Sequence, residues 1–292
     1  MTAGRDTVAL SVVVPTIGRP EQLRACLASI ASCRPRPAEV VVIDQSGSAP
    51  VQAVVETYAD IGARWLHRPG RGAAAATNAG LREAAHDLVA RTDDDCTVAE
   101  DWIAVMWQGL AKHPGWLLTG RVLAGGVARP EDVPSVKADE VAVNHTAGSS
   151  YWLLYSGNMV VDRREIAAVG GFDERRSLRS AASDNDLCYR WTKSGRPLRY
   201  EPTMVVWHHD WRGPEGLARR YVEYGHGQGA FYAKHLRAGD RALLRALGRD
   251  MRDGLRAVAG GLVRRRSIRT DPRWGLLRGL PAGLAMGWRD RG

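Results

Sequence analysis

Cysteine is scarce in this chain. Cys26, Cys33, Cys96 and Cys188 are scattered through 292 residues and form no CxxC pair. A disulfide framework or a zinc site is therefore not expected, and a reducing, cytoplasmic setting suits the composition. No apolar run reaches the roughly 18 residues that a membrane-spanning helix needs, so no transmembrane segment is expected. The N-terminal Met1-Thr2-Ala3-Gly4-Arg5-Asp6 lacks the pattern of a secretory signal. Internal repeats are absent. No Gly-rich, Lys-bearing phosphate loop follows the first apolar run, which argues against a nucleotidyltransferase.

What is present is a 45% hydrophobic chain that can bury a core, with a net charge of +9. The charge is uneven. From Asp240 to Gly292 there are 13 arginines and 5 acidic residues, so this tail carries +8 of the +9. The rest is nearly neutral, which argues against nucleic acid as a partner. A basic tail suits an anionic surface such as a membrane leaflet, and a peripheral position at the inner face of the plasma membrane fits that charge.

The apolar pattern alternates between strand-like and helical segments. Val8 to Val14 reads as a buried strand, Pro20 to Ile30 as a helix, and Val40 to Ile43 as a second strand ending at Asp44. Val51 to Tyr58 and Gly72 to Ala85 read as helices, and Arg64 to His67 and Leu88 to Thr92 as strands. Such alternation implies βαβ units and a parallel sheet. Beyond it, Asp101 to Lys112 reads as a helix, Trp116 to Leu123 and Asn158 to Val161 as strands, and Ser183 to Lys193 as a helix. Met204 to Trp207 is a short apolar run. Gly125 to Ser150 has the weak periodicity of a long loop. From Pro214 helical spacing dominates, and a boundary is expected near Gly213.

Asp93-Asp94-Asp95 follows the fourth strand. Adjacent carboxylates repel unless a cation lies among them. Oxygen ligands at this density suit a hard ion such as Mg²⁺ or Mn²⁺. In open α/β sheets ligands bind beyond the carboxyl ends of strands, where this triplet falls. Taken alone, an acidic triplet is more often a solvated turn.

Other features follow in order: Val12-Val13-Val14-Pro15-Thr16, Val42-Ile43-Asp44, Ala76-Thr77-Asn78-Ala79-Gly80, Gly170-Gly171-Phe172-Asp173-Glu174, Ser183-Asp184-Asn185-Asp186-Leu187 and Arg190. With the acidic triplet, this ordered series resembles the family 2 glycosyltransferases over roughly Ala9 to Asp210. The resemblance implies an α/β GT-A fold: Rossmann-like, with a mostly parallel central sheet flanked by helices, here with a C-terminal helical extension. The catalytic domain would span residues 1–212 and the basic helical extension residues 213–292.

The resemblance also implies an inverting, metal-dependent hexosyltransferase. Its donor would be a nucleotide diphosphate sugar, most often a UDP-sugar. Its acceptor would be a hydroxyl of a saccharide, a lipid-linked saccharide or a small molecule, as in cell-envelope or natural-product glycosylation. Pro15, Thr16, Asp44, Asn78, Asp93, Asp94, Gly157, Asn158 and Asp173 would line the donor site. Asp95 and His208, with His209 as the alternative imidazole, would hold Mn²⁺ or Mg²⁺. Asp184 would be the general base that takes the acceptor proton. Asp186, Arg190 and Trp152 would orient groups or meet the acceptor, and Arg190 can pair with Asp186 at i,i+4. Two departures stand out. Thr77 replaces the arginine usual before Asn78, leaving Arg71 as the nearby cation, and Ser183 replaces the acidic neighbour of Asp184. A catalytically inactive GT-A scaffold or peripheral membrane protein is the alternative outside enzymes.

Overall fold

β-branched residues crowd Thr7–Thr16 and Arg36–Asp44, and these segments form strands β1 and β2, paired in parallel with Thr16 opposite Asp44. The computed structural model describes residues 7–70, 72–126, 136–179, 181–209, 214–263 and 271–290. By packing, the chain divides into two compact units. One comprises Met1–Phe172 with Leu187–Asp210, the other Asp173–Asp186 with Trp211–Gly292.

The first unit is built on one sheet. To β1 and β2 it adds β3 (Ala63–His67), β4 (Leu88–Thr92), β5 (Cys96–Val98), β6 (Leu117–Ala124), β7 (Val143–His145), β8 (Asn158–Asp162) and β9 (Leu198–His208), in the order β3-β2-β1-β4-β8-β6-β9-β5, with β7 also on β9. The alternating N-terminal pattern gives parallel pairing across β3, β2, β1 and β4. Past β4 the sheet is mixed, less parallel than that pattern implies: β8 runs antiparallel to β4 and β6, while β6 and β9 are parallel. β5 and β7 are three residues each, too short to show a period.

Helices α1 (Pro20–Ala31), α2 (Ala49–Glu56) and α4 (Trp102–Lys112) bury Leu23, Val54 and Met106 in one core, with Val12 and Val14 of β1. On the other side, Val13 and Ile43 pack in a second core with α3 (Ala73–Glu83), α5 (Arg163–Ala168) and Leu187 and Trp191 of α6 (Ser183–Lys193). The strand period of two sends neighbouring side chains of β1 to opposite faces. Every strand of the parallel part therefore ends toward the same edge, where Thr16, Asp44 and Thr92 lie.

The second unit is helical: α7 (Pro214–Arg237), α8 (Leu243–Val263) and α9 (Pro272–Arg289). Gly275, Gly279, Gly283 and Gly287 recur every fourth residue of α9 and face α7. A Cβ at Gly279 would strike the Val222 carbonyl, and one at Gly283 the His226 carbonyl. The two helices therefore approach backbone to backbone, which larger residues would forbid. Trp211, Gly213 and the Arg264-Arg265-Arg266 triplet lie outside the described residues, as does Arg71.

Candidate functional site

The acidic triplet fills the turn between β4 and β5. β5 pairs antiparallel with β9, placing Cys96 opposite His208. That register brings His208 Nε2 to 3.7 Å from Asp95 Oδ1. Strand alternation sends His209 away, its Nε2 2.8 Å from Thr97 Oγ1 and its ring over Gly125. Burial lowers the pKa of His209.

Two guanidinium groups serve the three carboxylates. Arg91 Nη2 donates to Asp93 Oδ1 at 2.6 Å. Burial opposes ionisation of Asp93, but the charge and hydrogen bond of Arg91 outweigh it and hold the pKa below the usual range. Arg19 donates to Asp94 through Nε (3.0 Å) and Nη2, and to Asp95 Oδ2 through Nη1 (2.9 Å). Thr16 Oγ1 donates to Asp94 Oδ2 at 2.6 Å. Even so, burial pushes the Asp94 pKa up to about 7, with Asp95 and Asp93 adding repulsion. The cluster thus lacks one positive charge.

Arg19 has no counterpart among the residues singled out from sequence. It sits at the N-cap of α1, where the helix dipole disfavours a cation. That mismatch is the one sequence signal of an anionic partner nearby.

A metal ion is implied by the fold, and the residues present fit one. Ligand atoms of Asp93, Asp95 and Cys96 lie within 4.8 Å of one another. Burial, then the charges of Asp93 and Asp95, raise the Cys96 thiol pKa well above its usual value, so the thiol stays protonated and is the poorest ligand of the three. His208 lies outside that group, and the imidazole atom nearest the carboxylates is its Nε2, 3.7 Å from Asp95 Oδ1. Carboxylate oxygens with an imidazole suit Mn²⁺ better than Mg²⁺. Gly157 belongs to the same group, since a Cβ there would lie 2.5 Å from Asp93 Oδ2.

Other expected residues are placed differently. Pro15 is buried in β1 opposite Ile43. Asp44 is fully buried and accepts from Ser46 N (2.8 Å), Ser46 Oγ (2.6 Å), Ser48 N (3.2 Å) and Trp65 Nε1 (3.2 Å). It fastens the turn that leads into α2. Asn158 donates to the Arg121 and Met204 carbonyls at 2.9 and 2.8 Å and accepts from Trp102 Nε1 at 2.8 Å, bridging β8, the β6–β9 register shift and α4. Asn78 clamps Phe172, accepting from its N–H at 2.9 Å and donating to its carbonyl at 2.8 Å. Arg190 braces the same turn through the carbonyls of Val169 and Gly171. Thr77 is buried. Trp152 is 64% exposed, with Lys137 Nζ 5.6 Å from its ring centroid.

In the second unit, Lys234 and His235 near the end of α7 are the residues that sequence reasoning missed. Lys234 Nζ bridges Asp173 Oδ2 (2.6 Å) and Asp186 Oδ1 (2.5 Å), and His235 Nε2 lies 2.9 Å from Asp186 Oδ1. Asp173 also accepts from Arg175 N at 2.9 Å. Asp184 stands half-buried in the first turn of α6, where its Oδ1 accepts from Asn185 N at 2.9 Å. Just before it, Ala182 has φ of 68°, a conformation that costs a non-glycine residue about 1 kcal/mol or more and recurs at functional sites.

These carboxylates follow a strand of the parallel part of the sheet. The profile described as "Glycosyl transferase family 2" matches residues 11–164. The chain belongs to glycosyl transferase family 2. Members of that family are sugar-transferring enzymes. A curated relative, a pre-mycofactocin glycosyltransferase of Mycobacterium tuberculosis, is 31% identical over 210 residues, covering 68% of this chain and 42% of its own length. The chain thus spans under half of that relative. Among solved structures, mannosyltransferase PcManGT of Pyrobaculum calidifontis, solved with GDP-Man and Mn²⁺, superposes with a TM-score of 0.64 at 19% identity, over 97% of this chain and 88% of that one. GalNAc-T7, solved with UDP, GalNAc and Mn²⁺, gives 0.55 at 17% identity over 78% and 50%. The fold is GT-A.

Proposed function

We propose that this chain is an inverting, metal-dependent glycosyltransferase that moves a hexose from a nucleotide diphosphate sugar, a UDP-sugar in the first instance, to a hydroxyl acceptor. One observation carries the reading: a buried acidic cluster at the ends of parallel strands that is one cation short. The Asp94 pKa near 7 is a symptom of that shortage.

Asp93, Asp95 and His208 would hold Mn²⁺, or Mg²⁺ with less help from the imidazole. When bound, the ion would neutralise the charge that develops on the departing diphosphate. Arg19 is the residue that balances Asp94 and Asp95 until then. Thr16 and Pro15 would flank the nucleoside. Asp44, already holding four donors, would serve that pocket by fixing the turn after β2. Asn78 and Arg190 would serve it by holding the 169–172 turn, and Asn158 by locking the sheet behind Asp93. Asp184 would accept the proton of the acceptor hydroxyl as that oxygen attacks the anomeric carbon, and Asp173 and Asp186, tied to Lys234, would stiffen the segment that carries it. Trp152 offers an exposed ring for the acceptor, whether a saccharide, a lipid-linked saccharide or a small molecule. A membrane-side location belongs to the same reading. Among the described residues no helix is long and apolar enough to cross a membrane.

The test is transfer itself. The chain is incubated with UDP-, GDP- and TDP-hexoses, Mn²⁺ and a panel of simple glycoside and lipid-linked acceptors, and products are read by mass spectrometry and anomeric NMR. The reading expects a product of inverted configuration from one nucleotide class. A retained configuration would overturn the inverting mechanism, and no turnover of any donor would favour the inactive scaffold.

A further inference from the structure

Four of the tail's thirteen arginines lie along one helix, α8. α8 has three longitudinal stripes, because 100° per residue brings positions i, i+4, i+7 and i+11 into line. Leu243, Ala246, Gly254 and Ala257 form the buried stripe. Leu244, Met251 and Leu255 form a second, exposed by 52%, 45% and 59%. Arg245, Arg249, Arg252 and Arg256 form the third, also exposed. Helical geometry sets the arginine line directly beside the apolar one.

Four arginines against two aspartates leave α8 with a surplus of positive charge. Its acidic residues are Asp250 and Asp253. Asp250 accepts from Tyr232 Oη at 2.6 Å, and burial raises its pKa. Asp253 pairs loosely with Arg256 at 3.6 Å. The exposed surface therefore combines a row of large apolar side chains with a row of guanidinium groups.

We propose that this face of α8 lies in the plane of an anionic bilayer surface. Leu244, Met251 and Leu255 would enter the boundary between headgroups and acyl chains, and the four arginines would meet lipid phosphates. The two rows are complementary to such a surface together. A water-soluble polyanion would engage the arginines and leave the leucines wet, whereas a neutral apolar partner would strand the arginines. The inference does not rest on the donor site.

The test is co-sedimentation of the full chain with phosphatidylcholine vesicles, with and without phosphatidylglycerol. Binding is expected only to the anionic vesicles. Replacing Arg245, Arg249, Arg252 and Arg256 together by Gln is expected to weaken binding about tenfold or more, and replacing Leu244, Met251 and Leu255 by Ser should weaken it by a similar factor. Replacing four other exposed cations, Arg24, Arg34, Arg82 and Lys112, by Gln should leave it unchanged, as should Asp95→Ala. A second readout holds even if a multiple variant folds poorly. All four native cysteines are buried, so Leu255→Cys can be labelled selectively with an environment-sensitive dye. A blue shift on anionic vesicles supports the proposal. It is overturned by no wild-type binding, by no dye shift, by full binding of the Ser variant, or by equal loss in the control variant.

Discussion

Two groups of buried carboxylates in this molecule have opposite fates. In the second unit, Asp173 and Asp186 share Lys234, and His235 also meets Asp186. In the first unit, Asp93, Asp94 and Asp95 share Arg91 and Arg19. There the Asp94 pKa still rises to about 7, and His208 Nδ1 has no partner among the described residues. A buried charge is tolerable when paired and costly when not. On the proposed function the first group would receive a cation, and the second would hold backbone in place. Residue type alone does not separate them, since both are aspartates beside basic groups.

The sharpest way to break the comparison lies within the sequence span of the second group, between Asp173 and Asp186. Asp184 is two residues from the fully paired Asp186, yet it is assigned the chemistry. Asp184→Asn should lower kcat by about 10²- to 10⁴-fold, leaving the donor-induced rise in melting temperature unchanged. A variant with wild-type kcat would return Asp184 to the structural group. Next, Lys234→Met removes the ammonium shared by the buried Asp186 and the partly buried Asp173, which keeps Arg175 at 3.4 Å, and urea unfolding should report a loss of about 3–5 kcal/mol. A loss near zero would mean that the second cluster is as poised for a ligand as the first.

Smaller effects refine the picture. α7 carries Lys234 and rests on the glycines of α9, so Gly279→Ala, which drives a Cβ into the Val222 carbonyl, should destabilise by about 1–3 kcal/mol. The smallest effect is a slope. With its pKa raised to about 7, Asp94 holds a proton in the folded chain that the unfolded chain releases near pH 4. The contribution of Asp94 to the stability of the metal-free protein should therefore fall as pH rises from about 4 to about 7. Asp94→Asn should flatten that part of a melting-temperature profile, and an unchanged slope would contradict the assignment.

Much of the fold was legible because burial leaves a period. The run Val8 to Val14 became β1, Gly72 to Ala85 became α3, and Asp101 to Lys112 became α4. The front half of β9 was hidden by polar residues: Arg199 and Glu201 pair with each other at 2.8 Å, so its hydrophobic run seemed to begin at Met204. β5 and β7, three residues each, carry no periodic signal. At the site, Asp93 to Asp95 stood out through charge density, whereas His208 came with the family resemblance, as one of two adjacent imidazoles. Asp44, Asn78 and Asn158 carry the family pattern, but their hydrogen-bond shells depend on partners far away in the chain, such as Trp65 for Asp44 and Met204 for Asn158. Lys234 and His235 gave no sign, since cations near the end of α7 fit the helix dipole anyway.

The central claim is that Asp93 to Asp95 form a metal-dependent donor site. Thermal unfolding with a panel of nucleotide diphosphate sugars, with and without Mn²⁺, tests it in the wild-type chain and in Asp95→Ala. A ligand that binds only the folded state raises the melting temperature. The account predicts a rise for one nucleotide class that requires Mn²⁺ and disappears in Asp95→Ala. A rise that persists without Mn²⁺ or in the variant, or no rise with any donor, would contradict it.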